Sequence, residues 1–225
     1  TFAPHLLGPV SVAAYSYMSL VPILQPPFMR VLTTEREKKV VMSRPRKSVS
    51  GTTKILFPVV VTIVTALIAP LGTPLMGMIM LGNLLKESGV VARLKQASEQ
   101  EIANIVTLLL GLSIGATMEA DKFLQVGTLL ILALGLVAIS LDTVMGLLFG
   151  KLMCLATAGK VNPLIGAAGI SAFPMAARVA QVEGQRYNKQ NYLLMHAMGA
   201  NTGGQIGSVM AAAIMLSALR GLGIG

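Results

Sequence analysis

The chain has 225 residues, 54% of them hydrophobic and only 12% charged, with a mean hydropathy of +0.73. A soluble domain usually carries about 25% charged residues, so the composition excludes an ordinary soluble domain and specifies an integral membrane protein. The formal charge of +9 does not indicate nucleic acid, because the bases concentrate in one loop, and the single cysteine, Cys154, excludes a disulfide framework or thiolate metal site.

The opening TFAPHLLG has no initiator Met, no basic n-region and no signal-peptide shape. We therefore expect the chain to be the second part of a longer protein. Residues 1–27 form a first membrane segment, GPVSVAAYSYMSLVPILQPP over 8–27, interrupted at Pro22 and stopped by Pro26-Pro27. Residues 28–54 hold eight of the 18 bases (Arg30, Arg36, Lys38, Lys39, Arg44, Arg46, Lys47 and Lys54) against Glu35 and Glu37. The excess of bases makes this loop cytoplasmic. It reads as a topology signal on a solvated loop, with a docking surface for a soluble partner as the alternative.

The membrane domain is assigned to 55–225. Residues 55–70 and 71–85 are each short of the roughly 20 residues that span a bilayer, and Pro70, Gly72 and Pro74 predict a tight hairpin of two tilted spans. Residues 86–100 return to the cytoplasm, a helix covers 101–119, and Glu119, Asp121 and Lys122 mark an outer turn. The longest apolar run, 124–150, is closed by Lys151 and Lys160. About six or seven hydrophobic segments are expected in all.

Two stretches are wrong for ordinary membrane helices. In 162–178, NPLIGAAGISAFPMAAR, polar Asn162, Ser171 and Arg178 accompany Pro163 and Pro174, which break it, and Gly166 and Gly169, which let neighbours approach. In 196–208, HAMGANTGGQIGS, polar Asn201, Thr202, Gln205 and Ser208 lie in a run expected to break at Gly199, Gly203 and Gly204. Non-helical backbone at membrane depth is tolerated only where it is buried in protein or lines a cavity, and oxygens beside such breaks coordinate small cations in transporters. The residues alone thus specify a cation-coupled membrane protein with a polar site at mid-depth. Each also has a plainer reading. Asn162 before Pro163 caps a helix, Ser171 and Ser208 pack helices, Arg178 snorkels to the interface, and Tyr17 is an interfacial aromatic. His196 reads as packing or hydrogen bonding. Asp142, in AISLDTVMG within the long apolar run, is a functional candidate by its cost in lipid; it reads as a protonated packing residue, a partner for a base or an extra cation ligand, and is left out of the cation site.

The order of motifs carries a further reading. NPLIGAAGISAFPMAARV, HAMGANTGGQIGS, GNLLKESGVVARL and AAYSYMSLVPILQPP together resemble the beta subunit of the biotin-dependent, sodium-pumping membrane decarboxylases, over essentially the whole chain. Oxaloacetate decarboxylase is the best known; the methylmalonyl-CoA, glutaconyl-CoA and malonate enzymes have similar subunits. The resemblance implies an all-α polytopic transporter with inverted repeats and broken or re-entrant helices, of which this chain is the C-terminal half and the second repeat. It implies that the earlier half carries an aspartate in an Asp-Gly-Pro motif. It implies a multi-pass protein of the bacterial inner membrane, a homotrimer working with a biotin-carrying carboxyltransferase alpha subunit and a small single-span gamma subunit. The subunit would decarboxylate carboxybiotin and export Na+.

By motif position, Asn162, Gly166, Ser171, Asn201 and Ser208 resemble the family's sodium-path residues. Arg178 matches its essential arginine, and Tyr17 the tyrosine paired with the aspartate of the earlier half. The residue types suit this chemistry. A hard cation is held by amide, hydroxyl and carbonyl oxygens, a guanidinium holds a carboxylate bidentately, and a phenol can relay a proton. The alternative of another class is a secondary Na+ symporter without decarboxylation chemistry, which needs neither biotin nor Arg178 at the cytoplasmic face.

Overall fold

A computed structural model describes residues 6–43, 49–116 and 125–223. Every regular element among them is a helix, and the chain is an all-α membrane protein. Three helices are long and apolar enough to cross a bilayer by length and composition, Gly51–Ile68, Val126–Ala156 and Leu194–Gly221. Other hydrophobic segments yield helices of 16 and 14 residues, Thr73–Ser88 and Ala103–Ala116, below the usual spanning length.

The described residues divide into two compact units. The first, drawn from 45–118 and 209–225, contains the expected hairpin. Its first arm is Gly51–Ile68, which we number α3 because two helices of the other unit precede it in the chain. A 3-10 turn, Pro70–Gly72, reverses the chain into α4, Thr73–Ser88. Ser50 caps α3 by accepting from the Thr53 N–H at 3.2 Å. Helix therefore starts inside the stretch assigned to the basic loop, and Lys54 lies in its first turn. The Lys54 ammonium meets the Glu87 carboxylate at 3.0 Å, which ties the start of one arm to the end of the other. Gly89, with φ +68°, ends α4 in the left-handed conformation that glycine adopts without a Cβ penalty. Next come α5 (Ala92–Ala97), a π-helical turn (Ser98–Ile102) and α6 (Ala103–Ala116), so helix resumes within the expected return loop. The outer turn at Glu119, Asp121 and Lys122 lies outside the described residues.

The second unit is drawn from 5–44 and 119–208. Here α1 runs Leu7–Leu32, straight through Pro22, Pro26 and Pro27, where an interruption and a stop were expected. Each proline removes one helical N–H, but packing holds the helix. Val21, Gln25 and Met29, spaced one turn apart, are all fully buried on one face. The short α2, Glu35–Lys38, starts with a capping box in which the Thr34 N–H donates to Glu37 Oε2 at 2.7 Å.

The segment after α1 is not simply solvated. Lys38 is buried, donates to the Arg30 carbonyl at 3.2 Å and lies 4.6 Å from the Tyr187 ring centre. Burial alone would raise the Glu37 pKa. The hydrogen bonds from the Thr34 N–H and hydroxyl, with the Lys151 ammonium, outweigh it and hold the carboxyl below its ordinary value.

The long apolar run forms α7, Val126–Ala156. It passes Lys151 instead of closing there, because that side chain reaches the Leu32 carbonyl at 3.0 Å. A 3-10 turn (Pro163–Ala168), an irregular stretch with a cis Phe173–Pro174 bond and α8 (Met175–Tyr187) follow. The predicted break in 162–178 is present. The last element, α9, is Leu194–Gly221, and here the expectation is corrected: 196–208 is continuous helix, unbroken at Gly199, Gly203 and Gly204. Unlike proline, glycine keeps its N–H, so the hydrogen-bond ladder persists at a cost of only about 1 kcal/mol per residue.

Candidate functional site

The broken stretch is laid backbone to backbone on its neighbours. A Cβ on Gly166 would strike the Gly146 carbonyl of α7, and one on Gly146 would strike the Gly166 carbonyl. Gly150 meets Pro163 in the same way, and Gly204 of α9 meets the Gly169 carbonyl. Glycine is required at these positions by the approach itself. The same approach brings main-chain carbonyls of the break against neighbouring helices.

Side-chain amides fasten the stretch. Asn162 caps the 3-10 turn: its Oδ1 accepts from the Leu164 N–H at 2.9 Å, and its amide donates to the Lys38 and Val40 carbonyls at 3.1 and 2.8 Å. The capping geometry is therefore present. Asn191 donates to the same two carbonyls. From α9, the fully buried Asn201 donates to the Ile170 carbonyl at 2.6 Å, and its Oδ1 has no donor among the described residues. From α1, Gln25 donates to the Ala167 carbonyl at 2.7 Å.

A cleft of about 290 Å³ opens where α8 faces the prolines of α1, lined by Pro22, Pro26, Arg178, Val182, Glu183 and Arg186. Arg178, Val182 and Arg186 follow at four-residue spacing and so share one face of α8. Glu183 is buried and is held by Arg30, Nε to Oε1 at 2.7 Å and a terminal nitrogen to Oε2 at 3.1 Å, with Arg186 at 3.3 Å. Glu183 thus occupies two guanidinium groups. The exposed Arg178 guanidinium has no acceptor among the described residues. Three guanidiniums against one carboxylate make the region electropositive, which suits a carboxylate ligand.

Asn162, Gly166 and Ser171 share the broken stretch, and Asn201 is bonded to it. Ser171 is exposed. Ser208 is exposed and donates to the Gly204 carbonyl of its own helix at 2.8 Å. Tyr17 packs its ring against Gly135 of α7 and does not line the cleft. It lies five residues before Pro22, roughly 8 Å along the α1 axis. His196, half-buried on α9, and Asp142, exposed on α7, form no hydrogen bond or ion pair among the described residues.

Residues 1–219 match the family described as the Na+-transporting oxaloacetate decarboxylase beta subunit. The chain belongs to that family. It is 54% identical to the methylmalonyl-CoA decarboxylase subunit beta of Propionigenium modestum, over 96% of this chain and 54% of the relative. It is 55% identical to the oxaloacetate decarboxylase beta chain 2 of Salmonella typhi, over 95% of this chain and 49% of the relative. The methylmalonyl-CoA decarboxylase subunit beta of Veillonella parvula is 54% identical over 96% of this chain and 58% of the relative. The chain thus spans about half the length of the curated relatives it matches.

Within this beta-subunit half, the sequence reading missed Gln25, Arg30, Glu183 and Asn191. Two of them carried a signal. Glu183 is the only acid in 162–190, and Gln25 is an amide set between the prolines of an apolar segment. Arg30 and Asn191 look like ordinary loop residues until the fold sets Arg30 against Glu183 and Asn191 against the Lys38 and Val40 carbonyls.

Proposed function

We propose that this chain is part of a membrane subunit that decarboxylates carboxybiotin and couples carbon dioxide release to Na+ export across a bacterial inner membrane. The observation that carries the reading is Arg178, a guanidinium without an acceptor among the described residues, in a cleft just below the usual ligand range of about 300–1,000 Å³. Family membership and the names of the relatives support it. Biotin arrives on a carboxyltransferase alpha subunit, a small gamma subunit completes the complex, and the beta subunit is a homotrimer.

Arg178 holds the incoming carboxylate through two parallel N–H donors. Apolar Val179 and Val182 and the prolines displace water around it, which favours loss of a carboxylate as neutral carbon dioxide. The bond between the carboxylate carbon and the ureido nitrogen breaks, its electron pair stays on nitrogen, and nitrogen takes a proton. Tyr17 belongs to the route by which that proton arrives, through a partner outside this chain. Gly166, Ser171 and Asn201, with Asn162 and Ser208 at either end, supply neutral oxygens along the ion path.

The test uses the full-length subunit with its partner subunits in sealed liposomes. Carboxylated substrates are supplied in turn, and carbon dioxide release and sodium-22 uptake are followed together. Both should rise together, require biotin, and fail in Arg178→Ala and Ser171→Ala. Sodium uptake without biotin-dependent carbon dioxide would establish a symporter instead.

A further inference from the structure

We infer that Gln25 supplies a further oxygen to the path of a hard monovalent cation, at the point where α1 meets the broken stretch. The inference rests on the sodium reading proposed above and adds a residue to it. Gln25 is fully buried. Its Nε2 donates to the Ala167 carbonyl at 2.7 Å and, at 3.4 Å, to Thr143 Oγ1. The Thr143 hydroxyl spends its own proton on the Ile139 carbonyl at 2.8 Å, so it presents Gln25 with an acceptor. Both neighbours fix the amide in one orientation and turn Oε1 away from them. That oxygen has no donor among the described residues.

A buried amide with both polar ends engaged does not look like this. Asn162, in the same unit, engages its amide nitrogen with two carbonyls and its oxygen with the Leu164 N–H. Gln25 and Asn201 differ from it in the same way. Each donates to a carbonyl of the broken stretch, Ala167 or Ile170, and each leaves its oxygen bare. Asn191 also has a bare oxygen, but its amide grips the 38–40 segment. Leaving a buried acceptor unmade is costly. Bare oxygens bound beside a membrane break can take the place of a cation's water.

The surrounding chemistry selects the cation. Pro26 and Pro27 cannot donate to the carbonyls four residues earlier, Pro22 and Ile23, so α1 leaves main-chain oxygens without their helical donors in the same turn of sequence. No group of three His, Cys, Asp or Glu occurs among the described residues. Neutral oxygens without clustered carboxylates suit Na+ or Li+ better than a divalent ion. The burial of Gln25 also means that the ion reaches it only when α1 and the broken stretch move relative to each other, as alternating access requires.

The experiment measures sodium-22 binding to the purified full-length complex without carboxylated substrate, alongside the Na+ dependence of decarboxylation. The variants are Gln25→Leu, which removes both polar ends, and Gln25→Glu, which keeps an oxygen and adds charge. Assembly of each is checked by its yield as an intact complex. Gln25→Leu should weaken Na+ binding about tenfold. Gln25→Glu should shift the half-saturating Na+ concentration and the preference for Na+ over Li+, and should make Na+ binding depend on pH. If both assembled variants bind Na+ as wild type does, with only a lower maximal rate, Gln25 is a packing amide and the inference is overturned while the sodium reading stands. Should only Gln25→Glu assemble, its unchanged Na+/Li+ preference would overturn the inference equally. A wild-type complex whose binding and turnover ignore Na+ would overturn both.

Discussion

Two clefts of nearly equal size distinguish the two units. The one between α3 and α4, about 270 Å³, is lined by Pro58, Val59, Ile63, Met80 and other almost wholly apolar neighbours. The one between α1 and α8, about 290 Å³, contains Arg178, Arg186 and Glu183. Buried polar groups follow the same division. Among the described residues, Thr65 is the one buried polar or charged side chain of the hairpin unit, whereas Gln25, Thr33, Lys38, Thr128, Thr143, Asn162, Glu183, Asn191 and Asn201 belong to the other. Membrane helices can be packed with apolar and small residues alone. Polar burial on this scale, concentrated around one broken element, costs stability and marks a functional region, the one to which the proposal assigns ion and carboxylate chemistry.

The largest effect expected from this contrast is at Arg178. Arg178→Ala should lower kcat/KM for decarboxylation in the assembled complex by about 100-fold or more. Arg178→Lys should recover little, since an ammonium lacks the planar fork. Next comes the backbone contact. Gly166→Ala would drive a methyl group into the Gly146 carbonyl, and rigid backbone on both sides makes about 3 kcal/mol or more of destabilisation the expected cost. Gly82→Ala in α4 meets nothing within 4 Å and should be neutral or stabilising by roughly 0.5–1 kcal/mol. Thermal unfolding of the detergent-solubilised full-length protein distinguishes the two.

Ion-path variants should separate more gently. Asn201→Ala removes a buried bare oxygen and should raise the half-saturating Na+ concentration about tenfold. Ser208→Ala, whose hydroxyl is already engaged with Gly204, should change it by about twofold or less. Initial rates over a Na+ series, at constant ionic strength, measure both. The smallest effect concerns acid. Glu37 has a lowered pKa, so the stability it contributes is present above the ordinary carboxylate value of about 4.3 and is lost as pH falls through its depressed folded value. Glu37→Gln should cost roughly 1 kcal/mol at neutral pH. Its melting temperature should converge on that of wild type only in that acid range.

The membrane class, the hairpin and the break at 162–178 were legible in the sequence, because composition, Pro70-Leu71-Gly72 and the Asn162-Pro163 pair act locally. The course of α1 and α9 was not. Proline and glycine signal breaks by propensity, but the buried stripe Val21, Gln25 and Met29 holds α1 through its prolines, and the α9 glycines keep their N–H groups. Within the site, residues next to one another in sequence could be grouped, as Asn162, Gly166 and Ser171 were. The Arg30–Glu183 pair spans more than 150 positions of sequence, and no periodicity predicts it. Gln25 needed the fold as well, since only its partners show which end of the amide is left bare.

The most direct test of the contrast is equilibrium sodium-22 binding to the full-length beta subunit in its complex, with no substrate present, comparing Asn201→Ala with Thr65→Val. Both replace a buried polar side chain that has an unpartnered oxygen, one beside the break and one in the hairpin unit. Binding should be weakened about tenfold in Asn201→Ala and unchanged in Thr65→Val. Loss in Thr65→Val with wild-type binding in Asn201→Ala would place the ion in the hairpin unit and contradict the account.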